Sequence, residues 1–162
     1  RQGLVRRLGI GAYKGLFSAL SLAGLIILVI GKAHADFVPV WNPPVWSRHA
    51  ALALMPFSLI LIAAAYMRSN FKRMTAHPML WGVTVWAAAH LFANGDLASI
   101  LLFGGFGAYA LYAMRSANMR GAAPSDKHYP LANDLAVVAV GLLAYGVLLL
   151  LHPYLFGVSP LS

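Results

Sequence analysis

Five long apolar runs limit the folds open to this chain more than any other feature. Each comes close to the ~20 residues with which an α-helix crosses a hydrocarbon core of ~30 Å. Of the 162 residues, 60% are hydrophobic and 10% charged, more apolar side chain than a soluble domain of this size can bury. We therefore predict an all-α, multi-pass transmembrane helical bundle of five helices, forming one domain over residues 1–162. The runs are Leu16–Ile30, Ala50–Met67, Pro78–Ala93, Leu97–Met114 and Leu135–Leu151.

The basic residues indicate how the chain lies in the membrane. Twelve Lys and Arg against four acidic residues give a formal net charge of +8. Ten of the twelve fall in alternate loops, and the opposite loops hold only Lys32 and Arg48. That distribution is typical of the positive-inside rule, so it predicts membrane topology and no nucleic-acid partner. The N-terminus is expected in the cytoplasm and the C-terminus outside. The cations concerned are Arg1, Arg6, Arg7, Lys14, Arg68, Lys72, Arg73, Arg115, Arg120 and Lys127.

The residue types available restrict the chemistry. The chain has no cysteine, which excludes disulfides, thiolate ligands and cysteine nucleophiles. It also lacks the serine-hydrolase, zinc-protease and phosphate-loop motifs. Imidazole is therefore nearly the only strong metal ligand present. Haem is the cofactor that an apolar helical bundle with aromatic residues buries most easily.

The hairpin over residues 76–113 carries most of the polar chemistry at membrane depth. Its two apolar runs are joined only by Asn94, Gly95 and Asp96. On a helix Trp86, His90 and Asn94 share one face. An ionisable group at membrane depth is costly, so His90 is the principal site candidate. Asp96 would either hydrogen-bond a ligand histidine or satisfy the backbone of the turn.

The other histidines have simpler interpretations. His34, His49 and His152 lie at predicted helix ends, where an amphipathic ring at the interface is ordinary. His77 starts the third predicted helix. At 1.5 Å per residue it lies about 20 Å from His90 along that helix, so the two cannot share one metal ion. His34, His49 and His77 remain candidates that must each be explained separately.

Three further features predict local structure. Pro56 removes a backbone donor and should bend the second helix. Asn133 and Asp134 are a plausible cap for the last helix. The small residues at 104, 105, 107 and 108 favour close helix packing, although they could also make room for a flat cofactor or lipid tail.

The stretch AHPMLWGVTVWAAAHLFANGDLASILLFGGF, preceded by GAYKGLFSALSL, resembles the NnrU family of bacterial membrane proteins. The closing segment LANDLAVVAVGLLAYGVLLLLHPYLFG fits it too. Members of that family are associated with nitrite and nitric oxide reduction. The resemblance implies an accessory role in denitrification, in the bacterial cytoplasmic membrane with a periplasmic C-terminus.

The NnrU family is in turn similar to 15-cis-zeta-carotene isomerase, a haem b membrane enzyme. This similarity implies that His90 is a haem ligand, with Trp86 and Asn94 beside it. His34 falls near a second histidine implicated in ligand exchange. The relatives have an additional first helix with another ligand histidine, and this chain begins after it. Either an upstream helix is missing from this sequence, as we expect, or that ligand is lost.

Two alternatives to the accessory role stay open. One is a haem-dependent cis-trans isomerase acting on a polyene such as 15-cis-zeta-carotene. The other is a structural subunit, surrounded by membrane lipid, whose apolar helices dock onto a larger membrane complex. A resemblance to membrane methyltransferases is confined to His77, Pro78 and Gly82, without the downstream binding segment, and is discounted.

Overall fold

The computed structural model describes residues 2–161, and within that range the chain is helical, with no strand. Four of the six helices, α1, α2, α5 and α6, are long and apolar enough to cross a membrane. This confirms the multi-pass helical fold. Helix α4 is equally apolar but has only 16 residues, about 24 Å at 1.5 Å per residue. The helices are α1 (Gln2–His34), α2 (Val45–Tyr66), α3 (Phe71–Met74), α4 (Pro78–Ala93), α5 (Leu97–Met119) and α6 (Leu131–Phe156).

The chain divides into two compact units, one ending at Asp36 and the other starting at Phe37. The N-terminal unit is essentially α1. Gly9 interrupts this helix with φ 77° and ψ 160°, a conformation that glycine adopts far more readily than other residues. The helix then continues to His34, four residues beyond the predicted run Leu16–Ile30.

In the C-terminal unit, α2 packs against both α4 and α6, and α4 packs against α5. Glycines allow α4 and α6 to cross α2 at short backbone distances. A Cβ added to Gly82 would lie 2.9 Å from the carbonyl oxygen of Ser58, and one added to Gly141 would lie 2.7 Å from the Cα of Ile60. The Ser58 hydroxyl also donates to the carbonyl of Gly82 at 2.8 Å. Small residues thus bring these backbones together.

The small residues predicted to pack along α5 behave unequally. A Cβ on Gly107 would meet that of Ala87 at 3.2 Å, whereas Gly104 and Gly105 have no neighbour within 4 Å. Close packing is therefore found at Gly107, and the prediction was wrong for the other two glycines. The tightest crossings involve glycines of α4 and α6 instead.

Pro56 lies inside α2, which continues through it. Proline has no N–H to donate to the carbonyl four residues earlier, and that carbonyl belongs to Leu52. The Tyr145 hydroxyl of α6 donates to the same carbonyl at 3.2 Å. The side chain of one helix thus replaces the backbone hydrogen bond that the other has lost.

At the His90 end, the loop before α2 crosses the turn between α4 and α5. The backbone N–H of Val40 donates to the carbonyl of Gly95 at 2.9 Å. The indole N–H of Trp41 donates to the carbonyl of Asn94 at 3.3 Å. A Cβ at Gly95 would lie 1.9 Å from the Trp41 carbonyl oxygen, so only glycine allows this crossing.

At the opposite end, Asn70 ties the α2–α3 connection to the start of α6. Its backbone N–H and its side-chain amide each donate to a different carboxylate oxygen of Asp134, both at 2.7 Å. Helix α6 begins at Leu131 with Pro130 as its N-cap residue. The predicted cap at Asn133 and Asp134 was therefore wrong. Asp134 lies inside the first turn of α6, and its carboxylate accepts hydrogen bonds from Asn70 instead.

We expect Gly141→Ala to destabilise the protein by about 1–3 kcal/mol, since the new methyl group overpacks the backbone of Ile60. Gly146→Ala is the matched control on the same helix, where a Cβ meets nothing within 4 Å. Unfolding in mixed micelles with increasing dodecyl sulfate, followed by circular dichroism, measures the difference. Equal midpoints for the two variants would contradict the close crossing.

Tyr145→Phe should lower the free energy of unfolding by about 1–3 kcal/mol, because it leaves the Leu52 carbonyl without a donor in apolar surroundings. Tyr154→Phe is the control, since Tyr154 lies on the same helix and is 86% exposed. The same unfolding assay compares the two variants. If Tyr145→Phe matched its control, Tyr145 would not be supplying the bond that Pro56 removes.

Candidate cofactor-binding site

His90 lies in the last turn of α4, and its ring is half-buried. The ring Nδ1 is 2.9 Å from the carbonyl oxygen of Trp86. A carbonyl only accepts hydrogen bonds, so in the neutral ring Nδ1 carries the hydrogen and donates. Nε2 then holds the lone pair with which a neutral imidazole ligates a metal.

Aromatic rings hold the His90 side chain in place. Phe103 of α5 stacks on it with ring centroids 4.5 Å apart and planes 28° apart. Trp86 lies 5.1 Å from the same ring and meets Phe103 edge-on at 5.0 Å. Phe106 also packs edge-on against Trp86, with ring centroids 5.7 Å apart. This packing restricts the rotation of His90, which a ligand role requires.

The polar residues after His90 satisfy helix ends. The side-chain amide of Asn94 donates to the carbonyl of His90 at 2.8 Å, at the C-terminus of α4. Asp96 is 4% exposed and accepts from the backbone N–H of Ser99 at 3.0 Å, capping α5. Of the two interpretations of Asp96, the structure shows the one in which it satisfies backbone.

A cavity of about 200 Å³ lies beside His90, between α2, α4 and α6, and residues 158–160 close one side. Most of its wall is aliphatic, with Leu52, Met55 and Leu59 from α2. The polar part of the wall brings together side chains distant in the sequence. They are Arg48, His90, Asn94, Tyr145, His152 and Ser159.

His152 lines this pocket together with Arg48, Tyr145 and Ser159, and none of the four was predicted as a site residue. His152 lies on α6, half-buried, and its Nδ1 is 2.7 Å from the carbonyl oxygen of Val158. Gly157, with φ 71° and ψ 5°, turns the chain back after α6 so that this carbonyl reaches the ring. The sequence contains no local signal for this, because only tertiary packing brings α6 to α4.

Within the C-terminal unit, His49 and His77 do not line this cavity. His34 belongs to the N-terminal unit, where its exposed ring contacts the carbonyl of Ile30 at 2.9 Å through Nδ1. His49 is exposed near the start of α2 and does not line the cavity. His77 precedes α4 at the opposite end of that helix, and its Nε2 is 2.7 Å from Oδ1 of Asn118.

The number of possible protein ligands distinguishes a site for a bare metal ion from a site for haem. Residues 2–161 contain no cluster of three or more His, Cys, Asp or Glu side chains arranged to hold a metal ion. A bare zinc ion usually takes three or four protein ligands, whereas haem iron has four porphyrin nitrogens and needs only axial ligands from the protein. One or two imidazoles therefore suit haem better than a bare ion.

The size of the pocket also bears on haem. The cavity of about 200 Å³ is smaller than the roughly 300–1,000 Å³ of organic ligand sites. The His90 imidazole suits a haem iron, but a macrocycle enters only if the walls of the pocket move apart.

Comparison with known proteins identifies the family. The family model described as NnrU protein matches residues 1–160, nearly the whole chain. No curated protein and no solved structure shows significant similarity to the chain. The matched segment includes every helix of the C-terminal unit together with the His90 pocket. This integral membrane protein therefore belongs to the NnrU family.

Proposed function

We propose that the protein binds haem b through Nε2 of His90 and serves as an accessory to nitrite and nitric oxide reduction. The main support for haem binding is the arrangement of the two ring nitrogens of His90. Its Nδ1 is engaged by the Trp86 carbonyl, while its Nε2 has no hydrogen-bond partner among the described residues. A ring held in this way is prepared for ligation.

The surroundings of His90 support haem over other uses of a buried histidine. Trp86 and Phe103 pack against the ring and Phe106 packs against Trp86, and His90 also lines the mostly aliphatic cavity. Such apolar surroundings favour a flat, mostly apolar cofactor. When bound, haem would supply an iron that changes oxidation state and binds small ligands. The role in nitrite and nitric oxide reduction rests on family membership.

The proposed location is the bacterial cytoplasmic membrane, with the N-terminus of this chain in the cytoplasm and the C-terminus in the periplasm. Arg68, Lys72 and Arg73 follow α2, while Arg115 and Arg120 lie at the end of α5. The backbone N–H of Ser125 donates to the carbonyl of Lys72, so these basic segments meet at one end. By the positive-inside rule that end is cytoplasmic and the His90 pocket is periplasmic.

The two alternatives receive less support. A polyene isomerase requires a long apolar groove beside the iron, whereas the cavity next to His90 in the C-terminal unit is compact, about 200 Å³. A structural subunit would need no open Nε2 and no aromatic packing around His90. Both remain predictions, and the experiments below include a result that would support each of them.

The first test is an absorption spectrum of the full native chain, purified in detergent and recorded before and after reduction by dithionite. We expect sharp haem bands in the wild type and at least a roughly tenfold lower haem content in His90→Ala, because an axial ligand is lost. His128→Ala is the matched control, since His128 is exposed in the loop before α6. Circular dichroism establishes that each variant is folded.

A folded wild-type protein without haem, after expression with ample haem supply, would refute the proposed cofactor. Haem retained equally by His90→Ala and His128→Ala would refute the ligand. Co-purification of both variants with a large membrane complex, without haem, would favour the structural subunit.

The cellular role is tested by gene deletion in the native bacterium. We expect nitrite or nitric oxide reduction to be lost and then restored by the wild type and by His128→Ala, but not by His90→Ala. Unchanged reduction rates after deletion would contradict the accessory role. Conversion of added 15-cis-zeta-carotene by the reduced purified protein would instead establish the isomerase.

A further inference from the structure

We propose that the C-terminal unit binds one anionic phospholipid at its basic end, with the lipid phosphate at Arg115 and the acyl chains along Trp81 and Leu111. The site is a cavity of about 720 Å³ lined by parts of residues 74–81 and 111–124. This volume lies within the roughly 300–1,000 Å³ of organic ligand sites. The inference goes beyond haem binding and does not depend on it, although it uses the membrane orientation proposed above.

The wall of this cavity changes from charged to apolar toward the membrane interior. Arg115 and Leu111 both line it and, four residues apart on α5, share one helix face. Leu111 lies one turn, about 6 Å, deeper than Arg115. Trp81 of α4 belongs to the same wall and is 43% exposed, and tryptophan is enriched at the membrane interface. A phospholipid has the same order, with its phosphate at the surface and its acyl chains below.

The charges around the cavity favour an anionic lipid over a neutral one. The Arg115 side chain is exposed and has no hydrogen bond or ion pair within residues 2–161. None of the described residues that line the cavity is acidic. A neighbouring cavity of about 340 Å³ shares residues 75–77 with it and is lined by Lys72, which is half-buried. Basic pockets at the cytoplasmic ends of membrane helices are typical sites for anionic headgroups.

The contact between His77 and Asn118 adds a neutral donor to this wall. Oδ1 of Asn118 only accepts hydrogen bonds, so Nε2 of His77, 2.7 Å away, carries the hydrogen. The amide N–H groups of Asn118 have no acceptor among the described residues. They can therefore donate to a phosphate oxygen held by Arg115.

A simpler role for Arg115 is to orient the protein by the positive-inside rule. Arg120 has that role as well, because it follows α5 at the same end. It does not line the cavity, and its guanidinium donates to the Ser116 hydroxyl. Arg115→Gln and Arg120→Gln thus remove the same charge from the same end of α5 and form a matched pair.

The test is native mass spectrometry of the full native chain in detergent with equimolar phosphatidylglycerol and phosphatidylcholine of identical acyl chains. We expect the wild type to retain mainly phosphatidylglycerol. Arg115→Gln should bind this lipid about fivefold more weakly, because one cation at the headgroup is lost, whereas Arg120→Gln should match the wild type. Arg115→Lys keeps the charge and should keep most of the binding. Excess glycerol 3-phosphate should not displace the lipid, because it lacks acyl chains.

Several results would overturn the proposal. Equal retention of the two lipids by the wild type would exclude an anionic site. Equal binding by Arg115→Gln and Arg120→Gln, whether weakened or unchanged, would exclude a specific role of Arg115. Displacement by glycerol 3-phosphate would make the cavity a site for a soluble phosphate instead. Circular dichroism establishes that each variant is folded, and none of these results depends on whether the protein binds haem.

Discussion

A backbone polar group in hydrocarbon has no water to bond with, so its hydrogen bond has to come from the protein. This constraint explains several side-chain hydrogen bonds inside the C-terminal unit. The hydroxyl of Tyr145 serves the Leu52 carbonyl that Pro56 leaves without a donor. Asn94 and Asp96 satisfy the two helix ends that meet at the turn. Much of the polarity in the apolar segments is therefore structural.

His90 and His152 stand apart from this pattern. In both, one ring nitrogen bonds a backbone carbonyl, as the constraint demands. The other nitrogen is not needed for any backbone group. For His90, a ring nitrogen kept at membrane depth without a structural task is costly unless it binds something, which is why the pocket between α2, α4 and α6 is the functional candidate.

The position of that pocket depends on how closely the helices approach. Gly82 and Gly141 let α4 and α6 pack directly on the backbone of α2. At the basic end, Asn70 and Asp134 tie the start of α6 to the segment after α2. Fixed in this way, α2, α4 and α6 enclose the cavity at the opposite end. Packing thus brings together histidines that are 62 residues apart in the chain.

The sequence by itself determined the membrane class and the apolar helices, and it predicted a site at His90, because length, hydropathy and spacing along one helix are local properties. The shared face of Trp86, His90 and Asn94 follows from helical periodicity alone. Only the tertiary structure decided that Asp134 pairs with Asn70, that Gly82 and Gly141 mark the crossings, and that His152 joins the pocket. These contacts depend on which helices are neighbours, and helices of uniform apolarity carry almost no pattern that specifies their neighbours.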